Sequence, residues 1–454
     1  MSEQLFGTNG FRGVVGRELT PEVAVKFGRA VATFFGGGRC AVAWDTRLSG
    51  PMLYKALVSG LMSSGAEVFE GGLLPTPALQ KFIQERPDIT YGVMVTASHN
   101  PREWNGFKVM ESDGVEASPS VEQQTEKIFL SGRYHDAQWS EVKPLRMAPN
   151  LAGSYIDSVL RHVDLDLFAE KKPIVVVDPG NGSSCVTSPY LFRRLGLKVV
   201  TVNANPDGMF PVRPPEPRPE GLDVLCDTTQ AVGADLGVAF DGDGDRVIFC
   251  DEEGRAWWGD ASGVSIGQYL ADKGRCKTVV TPVTSTAATE AVLTELGVEV
   301  LRTRVGSRHV SYLMREKEAS WGFEENGGGI YAPHQLVRDG GMTTMLMLQI
   351  MVEREEPLSK IFGAMPRFWQ VKAKTETKPE RADHIVSELI RRYDSERLDT
   401  ADGVKIWFRD DFWVLVRPSG TEPLMRVFVE SSDREEAEKA SERFLREVRE
   451  IAAS

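Results

Sequence analysis

The sequence has few features of secreted, membrane-bound or nucleic-acid-binding proteins. Its five cysteines include no Cys-x-x-Cys pair and are odd in number, which favours a reduced setting over a disulfide framework. No apolar run approaches the length of a membrane span, and the first residues lack a basic, apolar leader. The formal net charge of −12 argues against a nucleic-acid surface. We therefore expect a cytoplasmic protein with neither nucleic-acid nor membrane partners.

The most informative segment is Asp241-Gly242-Asp243-Gly244-Asp245-Arg246, which follows the apolar run Leu236–Phe240. Three carboxylates at alternate positions repel one another unless a cation lies among them, and oxygen-only ligation suits Mg²⁺ or Ca²⁺. An EF-hand loop begins with the same spacing, but its sixth position requires glycine and here is Arg246. A solvated turn between two strands is the weaker alternative. The pattern predicts a metal site made by Asp241, Asp243 and Asp245.

A second segment combines a short apolar strand, Val93–Val95, with the small polar loop Thr96–Pro101. Ser98 is expected to stand exposed at the end of this strand, with His99 beside it. No Gly-x-Ser-x-Gly motif surrounds the serine, which argues against a nucleophile-elbow hydrolase. An ordinary turn before a proline explains the loop equally well in isolation, so Ser98 gains interest only beside a metal and a phosphate site.

A third segment, Arg417–Pro423, supplies groups that suit a phosphate. Arginine offers a planar fork, serine and threonine offer hydroxyl donors, and glycine lets backbone amides approach an anion. The spacing of a Walker loop is absent, and the residues that follow alternate like a strand. A tight hairpin with one exposed arginine is the plain alternative. The candidate phosphate ligands are Arg417, Ser419, Gly420 and Thr421.

A faint internal repeat indicates the fold class. The order strand, small-residue loop, helix, glycine, strand occurs three times, beginning at Ala41–Asp45, Ile174–Asp178 and Thr278–Pro282. Such βαβ units predict three tandem α/β domains with mixed, mainly parallel sheets. From about Arg367 the pattern changes to strands with a helix over 379–393 and an amphipathic helix over 434–452, which indicates an α+β domain. The apolar face of the last helix reads as core: Ala437, Ala440, Phe444, Val448 and Ile451.

Together the three polar segments resemble the α-D-phosphohexomutase family, which includes phosphomannomutases, phosphoglucomutases and phosphoglucosamine mutases. They resemble, in chain order, its phosphoserine loop, its magnesium loop and its phosphate-binding loop. Three more segments match in the family's order, so the resemblance spans essentially the whole chain: Phe6–Gly13, Asn105–Lys108 and Gly322–Gly328.

The resemblance implies four domains around a central cleft. We expect α/β domains over 1–147 with the phosphoserine loop, 148–252 with the metal loop and 253–366 with the sugar-recognition loop. An α+β phosphate-binding lid is expected over 367–454. The proline-rich stretch 211–219 would read as a linker on composition alone, but the family match indicates an ordered loop within the second domain.

The resemblance also implies a reaction. Phosphoserine at Ser98 would share Mg²⁺ with the three aspartates, and a hexose 1-phosphate would be interconverted with its 6-phosphate through a hexose 1,6-bisphosphate, which also acts as activator. The phosphate loop would hold the phosphate that is not reacting. Further roles follow for other residues: sugar or phosphate contact for Glu324, Asn326 and Arg308, charge partnership for Arg12, Lys108 and Arg246, and general-base catalysis for His99, Lys108 or His309. The expected partners are small hexose phosphates, and the expected assembly is a monomer or homodimer.

Two departures from the family pattern leave the sugar open. The loop Thr281–Ser285 lacks a lysine found in some members, and the sugar loop reads Phe-Glu-Glu-Asn-Gly-Gly rather than Gly-Glu-x-Ser-Gly-His. Glucose, mannose and glucosamine phosphates all remain candidates, and Arg308 with His309 could simply begin a helix. Two rival functions also remain: a haloacid-dehalogenase-like phosphatase with Asp241 as nucleophile and Asp243 as acid/base, and a non-catalytic sugar-phosphate sensor.

Overall fold

The computed structural model describes residues 10–419 and 423–453. Two of the predicted phosphate ligands, Gly420 and Thr421, lie outside the described residues. The chain divides into two compact units: unit 1 consists of Met1–Ser262 with Asn326–Ile361, and unit 2 consists of Gly263–Glu325 with Phe362–Ser454.

Unit 1 begins with a mixed sheet flanked by helices. Its strands are β1 (Phe11–Val14), β2 (Arg39–Trp44), β3 (Glu67–Leu73), β4 (Tyr91–Val95), β5 (Trp104–Glu111) and β6 (Leu145–Met147). Its helices are α1 (Pro21–Phe34), α2 (Gly50–Ser63), α3 (Thr76–Gln84) and α4 (Pro119–Ser131). The strand order is β1-β5-β4-β2-β3-β6, and β2 pairs in parallel with β3 and β4. The carboxyl ends of β2 and β4 therefore lie side by side, which brings Asp45 next to Thr96.

Unit 1 continues with a second mixed sheet. Its elements are α5 (Leu151–Leu160), α6 (Leu167–Glu170), β7 (Ile174–Asp178), α7 (Ser188–Arg194), β8 (Lys198–Thr201), α8 (Asp223–Ala231), β9 (Leu236–Phe240), β10 (Val247–Cys250) and β11 (Ala256–Trp257). The strand order is β11-β10-β9-β7-β8, with β7 parallel to β8 and β9. Because β9 and β10 are antiparallel and fully buried, residues 241–246 form the turn between them. The predicted strand after Arg246 is confirmed, which excludes the EF-hand alternative.

Unit 2 contains the third βαβ copy. Its elements are α9 (Gly259–Asp272), which starts in unit 1, β12 (Thr278–Pro282), α10 (Ala288–Leu293), β13 (Glu299–Thr303), α11 (Ser307–Glu316) and β14 (Trp321–Phe323). β12 pairs in parallel with both β13 and β14, as the repeat predicts. The glycine that closes the helix, Gly297, has φ +73°, a left-handed conformation that favours glycine.

The chain then returns to unit 1 through β15 (Gly329–Tyr331) and α12 (Gly340–Arg354), followed by α13 (Leu358–Gly363) at the boundary of the two units. α12 is buried along nearly its whole length. The Asp339 carboxylate caps its first turn by accepting a hydrogen bond from the Met342 amide. This cap fixes the start of the helix directly after Arg338.

The C-terminal part of unit 2 is the predicted α+β domain. Its elements are β16 (Trp369–Glu376), α14 (Ala382–Arg392), β17 (Arg397–Asp399), β18 (Val404–Arg409), β19 (Phe412–Pro418), β20 (Leu424–Ser431) and α15 (Arg434–Ala453). The sheet is antiparallel in the order β16-β20-β19-β18-β17. All five residues of the predicted apolar stripe on α15 are buried, so the core assignment of that face is confirmed. Within the described residues no helix combines the length and apolarity needed to span a bilayer.

Candidate active site

The three aspartates of the 241–246 turn converge in the interior of unit 1. Asp241, Asp243 and Asp245 are at most 3% exposed, and one carboxylate oxygen from each lies within 4.8 Å of the others. Gly244 allows this curl because it adopts φ +77°. Three buried like charges at this spacing are strongly unfavourable alone. Burial, together with the charges of Asp245 and Asp243, raises the pKa of Asp241 well above its usual range.

The donor set fits a hard divalent cation. It offers carboxylate oxygens only, which is the ligation that Mg²⁺ prefers. The two oxygens of Asp243 are used differently. Oδ2 accepts hydrogen bonds from Thr76 Oγ1 and Lys108 Nζ, each at 2.6 Å, whereas no donor among the described residues reaches the buried Oδ1. A buried carboxylate oxygen without a donor, beside two further carboxylates, is suited to a cation as its partner.

Ser98 lies directly against this turn. Its hydroxyl donates to Asp241 Oδ2 at 2.9 Å, and its backbone adopts φ 50°, which is strained for a residue other than glycine. A Cβ at Gly242 would stand 2.5 Å from the Ser98 carbonyl oxygen, so the serine loop can approach only because residue 242 is glycine. The prediction that Ser98 is exposed is wrong: its exposed fraction is 1%, because the metal turn covers the strand end.

The serine loop is held by a buried arginine that the sequence did not single out. Arg47 is fully buried and pairs with Asp45 at 3.1 Å. Its terminal nitrogens donate to the carbonyl oxygens of three loop residues, Ser98, Asn100 and Pro101, and to that of Trp104 at the start of β5. Asp45 also accepts from the Thr96 hydroxyl at 2.6 Å. One charged pair therefore fixes the backbone around the serine.

Three of the predicted cationic residues surround the serine and the aspartates. Lys108 is 2% exposed and places Nζ 2.6 Å from Asp243 Oδ2 and 3.4 Å from Asp245 Oδ2. Burial acts to lower the Lys108 pKa, but the two aspartates outweigh it and the pKa lies above its ordinary value. Arg246 pairs with Glu216, from the proline-rich loop, and approaches Asp245. Arg12 donates to the Asn100 side chain at 2.6 Å.

Arg338 is a further cation of this site, and the sequence analysis missed it. Its Nη2 lies 3.1 and 3.2 Å from the two oxygens of Asp245, and its Nη1 donates to Asn326 Oδ1 at 3.1 Å. The structure thus brings the predicted sugar-contact residue Asn326 close to the 241–246 turn. The only available signal was the glycine pair 327–328. A Cβ at Gly328 would meet the Arg338 side chain at 2.8 Å, so the glycine indicates close packing there.

His99 stands beside the serine hydroxyl. Its Nδ1 lies 3.4 Å from Ser98 Oγ and 3.8 Å from Glu216 Oε2. Burial, followed by the positive charges of Arg246 and Arg12, holds the His99 pKa well below its ordinary value, although about a third of the side chain (36%) is exposed. The lowered pKa favours the neutral form of the imidazole and also makes the ring a weaker base than an ordinary histidine.

The remaining predicted residues belong to unit 2. Arg417 is the penultimate residue of β19, where its Nε lies 2.9 Å from Asp402 Oδ2, and Ser419 accepts a hydrogen bond from Arg426. Glu324 is buried and accepts the Gly306 amide at 3.0 Å. Arg308 lies in the first turn of α11, as the helix-start alternative predicted.

His309, the next residue of that turn, is the remaining general-base candidate. Burial, Arg308 and Arg304 lower the pKa of His309. It lies in unit 2, whereas Ser98 belongs to unit 1. Among the three candidates, His99 and Lys108 lie in the same unit as the serine.

Models of one family match nearly the entire chain. The phosphoglucomutase/phosphomannomutase alpha/beta/alpha domain I matches residues 3–135, domain II matches 153–254, domain III matches 258–368, and the C-terminal domain matches 370–447. The boundaries predicted from the sequence at 147, 252 and 366 stay predictions.

Individual relatives and a solved structure of this family are also similar to nearly the whole chain. A phosphoglucosamine/phosphogalactosamine mutase of Sulfurisphaera tokodaii is 39% identical over 95% of this chain and 96% of its own length. A phosphoglucomutase/phosphomannomutase of Thermococcus kodakarensis is 40% identical over 96% of each chain. A solved phosphoglucomutase/phosphomannomutase family protein of Burkholderia thailandensis superposes with a TM-score of 0.89 at 25% identity, covering 98% of this chain and 97% of that one. The chain belongs to the phosphoglucomutase/phosphomannomutase family and is an intramolecular phosphotransferase of the phosphohexomutase class.

Proposed function

We propose that this enzyme interconverts hexose 1-phosphates and hexose 6-phosphates with Ser98 as the phosphoryl carrier. The observation that carries the proposal is the contact of the Ser98 hydroxyl with Asp241, inside a cluster of three carboxylates. A hydroxyl in this position can hold a phosphoryl group beside a divalent cation. The strained φ of 50° at Ser98 also fits a residue whose side chain is positioned for chemistry rather than for stability.

The residues that would hold Mg²⁺ are Asp241, Asp243 and Asp245, with an oxygen of phosphorylated Ser98. When bound, the ion supplies positive charge that offsets the negative charge developing on the phosphoryl oxygens.

The chain's own cations would bind and orient the phosphoryl oxygens. Lys108, Arg246 and Arg12 are the predicted partners, and Arg338 joins them through its contact with Asp245. Arginine forks fix the direction of a phosphoryl group as well as its charge. Neutral His99 could take the proton of the attacking sugar hydroxyl, since its Nδ1 already lies near the serine oxygen.

Reversal of the sugar requires a second phosphate-binding site. Transfer from Ser98 to the free hydroxyl of a hexose monophosphate yields a hexose 1,6-bisphosphate, which must turn over before the other phosphate returns to the serine. Arg417 and Ser419, with Gly420 and Thr421 from the same loop, would hold whichever phosphate is not reacting, while Glu324 and Arg308 contact the sugar or its phosphate. Loss of the bisphosphate midway would leave the serine bare. We therefore infer that added bisphosphate acts as an activator.

The geometry disfavours the phosphatase alternative. Asp241 would have to attack phosphorus, but its Oδ2 accepts from Ser98 and its Oδ1 accepts the Arg246 amide at 3.1 Å. A carboxylate with both oxygens engaged in hydrogen bonds is poorly placed to attack phosphorus. The sensor alternative gives no reason to place a strained serine against the three aspartates.

The substrates we propose to compare are glucose, mannose and glucosamine phosphates. The two curated relatives carry names that cover amino sugars in one case and glucose and mannose in the other, at nearly equal identity. The rate at which purified enzyme isomerises each 1-phosphate, measured with Mg²⁺ and catalytic hexose 1,6-bisphosphate, ranks the three sugars as substrates.

The test of the serine is Ser98→Ala, with the exposed Ser131→Ala on α4 as the matched control. We expect Ser98→Ala to abolish isomerisation and to lose the phosphoryl group seen by intact-mass measurement, with an unchanged circular dichroism spectrum. Dephosphorylated wild-type enzyme should regain activity with hexose 1,6-bisphosphate, and the alanine variant should not. Wild-type turnover in Ser98→Ala would overturn the proposal, and stoichiometric phosphate release from the bisphosphate would favour the phosphatase.

A further inference from the structure

Asp402 lies in the turn that joins β17 to β18 and contacts two functional segments of unit 2. Its Oδ2 is 2.9 Å from Nε of Arg417, and the same oxygen accepts the backbone N–H of Val305 at 3.1 Å. The side chains of Asp402 and Arg417 are 15% and 13% exposed, so water screens this ion pair only partly. Nothing in the motifs around the phosphate loop pointed to this carboxylate.

The turn packs closely against the backbone of Arg417. Gly403, the next residue, has φ +80°, and a Cβ there would stand 2.3 Å from the Val416 carbonyl oxygen and 2.7 Å from Arg417 Cα. Both the conformation and the space therefore require glycine. The close approach puts Asp402 at a fixed distance from the guanidinium rather than at the end of a mobile loop.

The turn is also fastened on its other side. Arg304 Nε donates to the Ala401 carbonyl at 2.8 Å, and the buried Lys405 Nζ donates to the Val283 carbonyl at 2.8 Å. Lys405 further packs on the rings of Trp413 and Trp407, at 3.8 and 4.4 Å from their centroids. Asp402 thus lies between two anchors that join the C-terminal domain to the β12–β14 segment of unit 2.

The second contact of Asp402 leads to the sugar-recognition loop. Val305 precedes Gly306, whose amide donates to Glu324 Oε1 at 3.0 Å. A continuous path of polar contacts therefore runs from the Arg417 guanidinium through the Asp402 carboxylate and the Val305–Gly306 backbone to the Glu324 carboxylate. Every member of this path belongs to unit 2.

We propose that Asp402 is a positioning residue that fixes the phosphate-holding guanidinium of Arg417 relative to the sugar-contacting Glu324. The inference rests on the function proposed above for those two residues. A substrate bound in either orientation must present its non-reacting phosphate and its hydroxyls at one fixed separation. Asp402 faces the Nε side of Arg417 as an ion pair rather than an aligned hydrogen bond. The edge formed by the two terminal nitrogens then remains for a phosphate fork. Ordering the side chain before the substrate arrives lowers the entropy lost on binding.

The experiment is a double-mutant cycle on Asp402→Ala and Arg417→Ala, with Asp410→Ala as control. Asp410 lies in the neighbouring β18–β19 hairpin and its side chain is 99% exposed. Isomerisation is followed in both directions with the best hexose phosphate. We expect Asp402→Ala to lower kcat/KM on the order of 10- to 100-fold in both directions, with a raised KM, because a misplaced Arg417 guanidinium positions the substrate phosphate less well. Asp410→Ala should match the wild type.

Non-additivity is the readout that a merely structural role would not produce. If Asp402 acts through Arg417, its replacement in the Arg417→Ala background should cost less than threefold. Equal losses in both backgrounds, or a drop in kcat alone without a change in KM, would overturn the inference. Should Asp402→Ala fail to fold, Asp402→Asn keeps an oxygen for the Val305 amide while it removes the charge, and the same cycle applies with a smaller expected loss.

The cycle also separates this inference from the proposed function. Wild-type kinetics in Arg417→Ala would refute the phosphate-holding role itself. An impaired Arg417→Ala beside an Asp402→Ala that equals the control would leave the function intact and refute only the positioning role.

Discussion

Lys108→Met should destabilise unit 1 strongly, because Lys108 is the buried cation that neutralises two aspartates. The ammonium lies 2.6 Å from Asp243 and 3.4 Å from Asp245, and its side chain is 2% exposed. Methionine fills a similar volume but carries no charge, so the two carboxylates face each other without a neutralising cation. Removing one partner of a buried ion pair costs about 3 to 5 kcal/mol.

Proton uptake sets an upper limit to this cost and gives it a pH dependence. If Asp243 becomes protonated in the variant, the penalty is about 1.4 kcal/mol for each pH unit above its unfolded pKa of about 3.9, hence about 5 kcal/mol at pH 7.5 and about 3 at pH 6. In the wild type burial opposes the charged form, but Lys108 and Thr76 hold the Asp243 pKa below its usual value. The destabilisation should therefore shrink as the pH falls toward 6.

The assay is thermal unfolding in a chelator, followed by circular dichroism at both pH values. We expect Tm to fall on the order of 10 °C at pH 7.5 and clearly less at pH 6. Lys171→Met, which removes an exposed pair with Glu355 in the same unit, is the control and should shift Tm little. Added Mg²⁺ should raise Tm more in Lys108→Met than in the wild type, since it replaces the missing charge. Equal Tm for the variant and the wild type would refute the reasoning.

Two further predictions test the surroundings of the site. Arg47→Met should lower the free energy of unfolding by at least about 3 kcal/mol and reduce phosphorylation of Ser98, because the buried Asp45 and the loop carbonyls lose their donor. The Tm measures the loss of stability, and the intact mass measures phosphorylation. Normal phosphorylation of the variant would contradict the second expectation. Burial, followed by His334, lowers the pKa of His162 to about 4. Between about pH 6.5 and pH 4 the native state then binds fewer protons than the unfolded state. Neutral His162 therefore costs the native state nothing above about pH 6.5, but it lowers the free energy of unfolding as the pH falls toward 4. His162→Gln removes this titrating group and should flatten the acid side of a Tm–pH profile.

The parts of the fold that local pattern determines were predicted closely. β9, the aspartate turn and β10 follow one another within fifteen residues, and their apolar and acidic residues indicate both the hairpin and the cation site. The glycines that end the βαβ helices also act locally, through backbone conformation. Domain class and the clustering of the three candidate metal ligands were therefore accessible from the sequence alone.

Contacts between distant segments were not accessible in this way. Arg338 is 93 residues from Asp245, and Arg47 is 51 residues from Ser98. Each lies in a short polar stretch that an exposed turn would explain equally well. The burial of Ser98 was missed for the same reason, since the turn that covers it comes 143 residues later in the sequence. A single sequence shows which residues are suited to chemistry but not which strand end is covered by another segment.

Charge balance explains why a phosphorylated serine could be tolerated at so buried a place. Five carboxylates, the three aspartates with Glu216 and Glu116, lie near four cations: Arg12, Lys108, Arg246 and Arg338. A phosphoryl dianion on Ser98 adds about two negative charges, and Mg²⁺ adds two positive ones, so the proposed working state leaves the net charge of the site unchanged. The dianion alone would add about two uncompensated negative charges to a buried site, where such charges are costly. The phosphoserine and the cation would therefore stabilise each other.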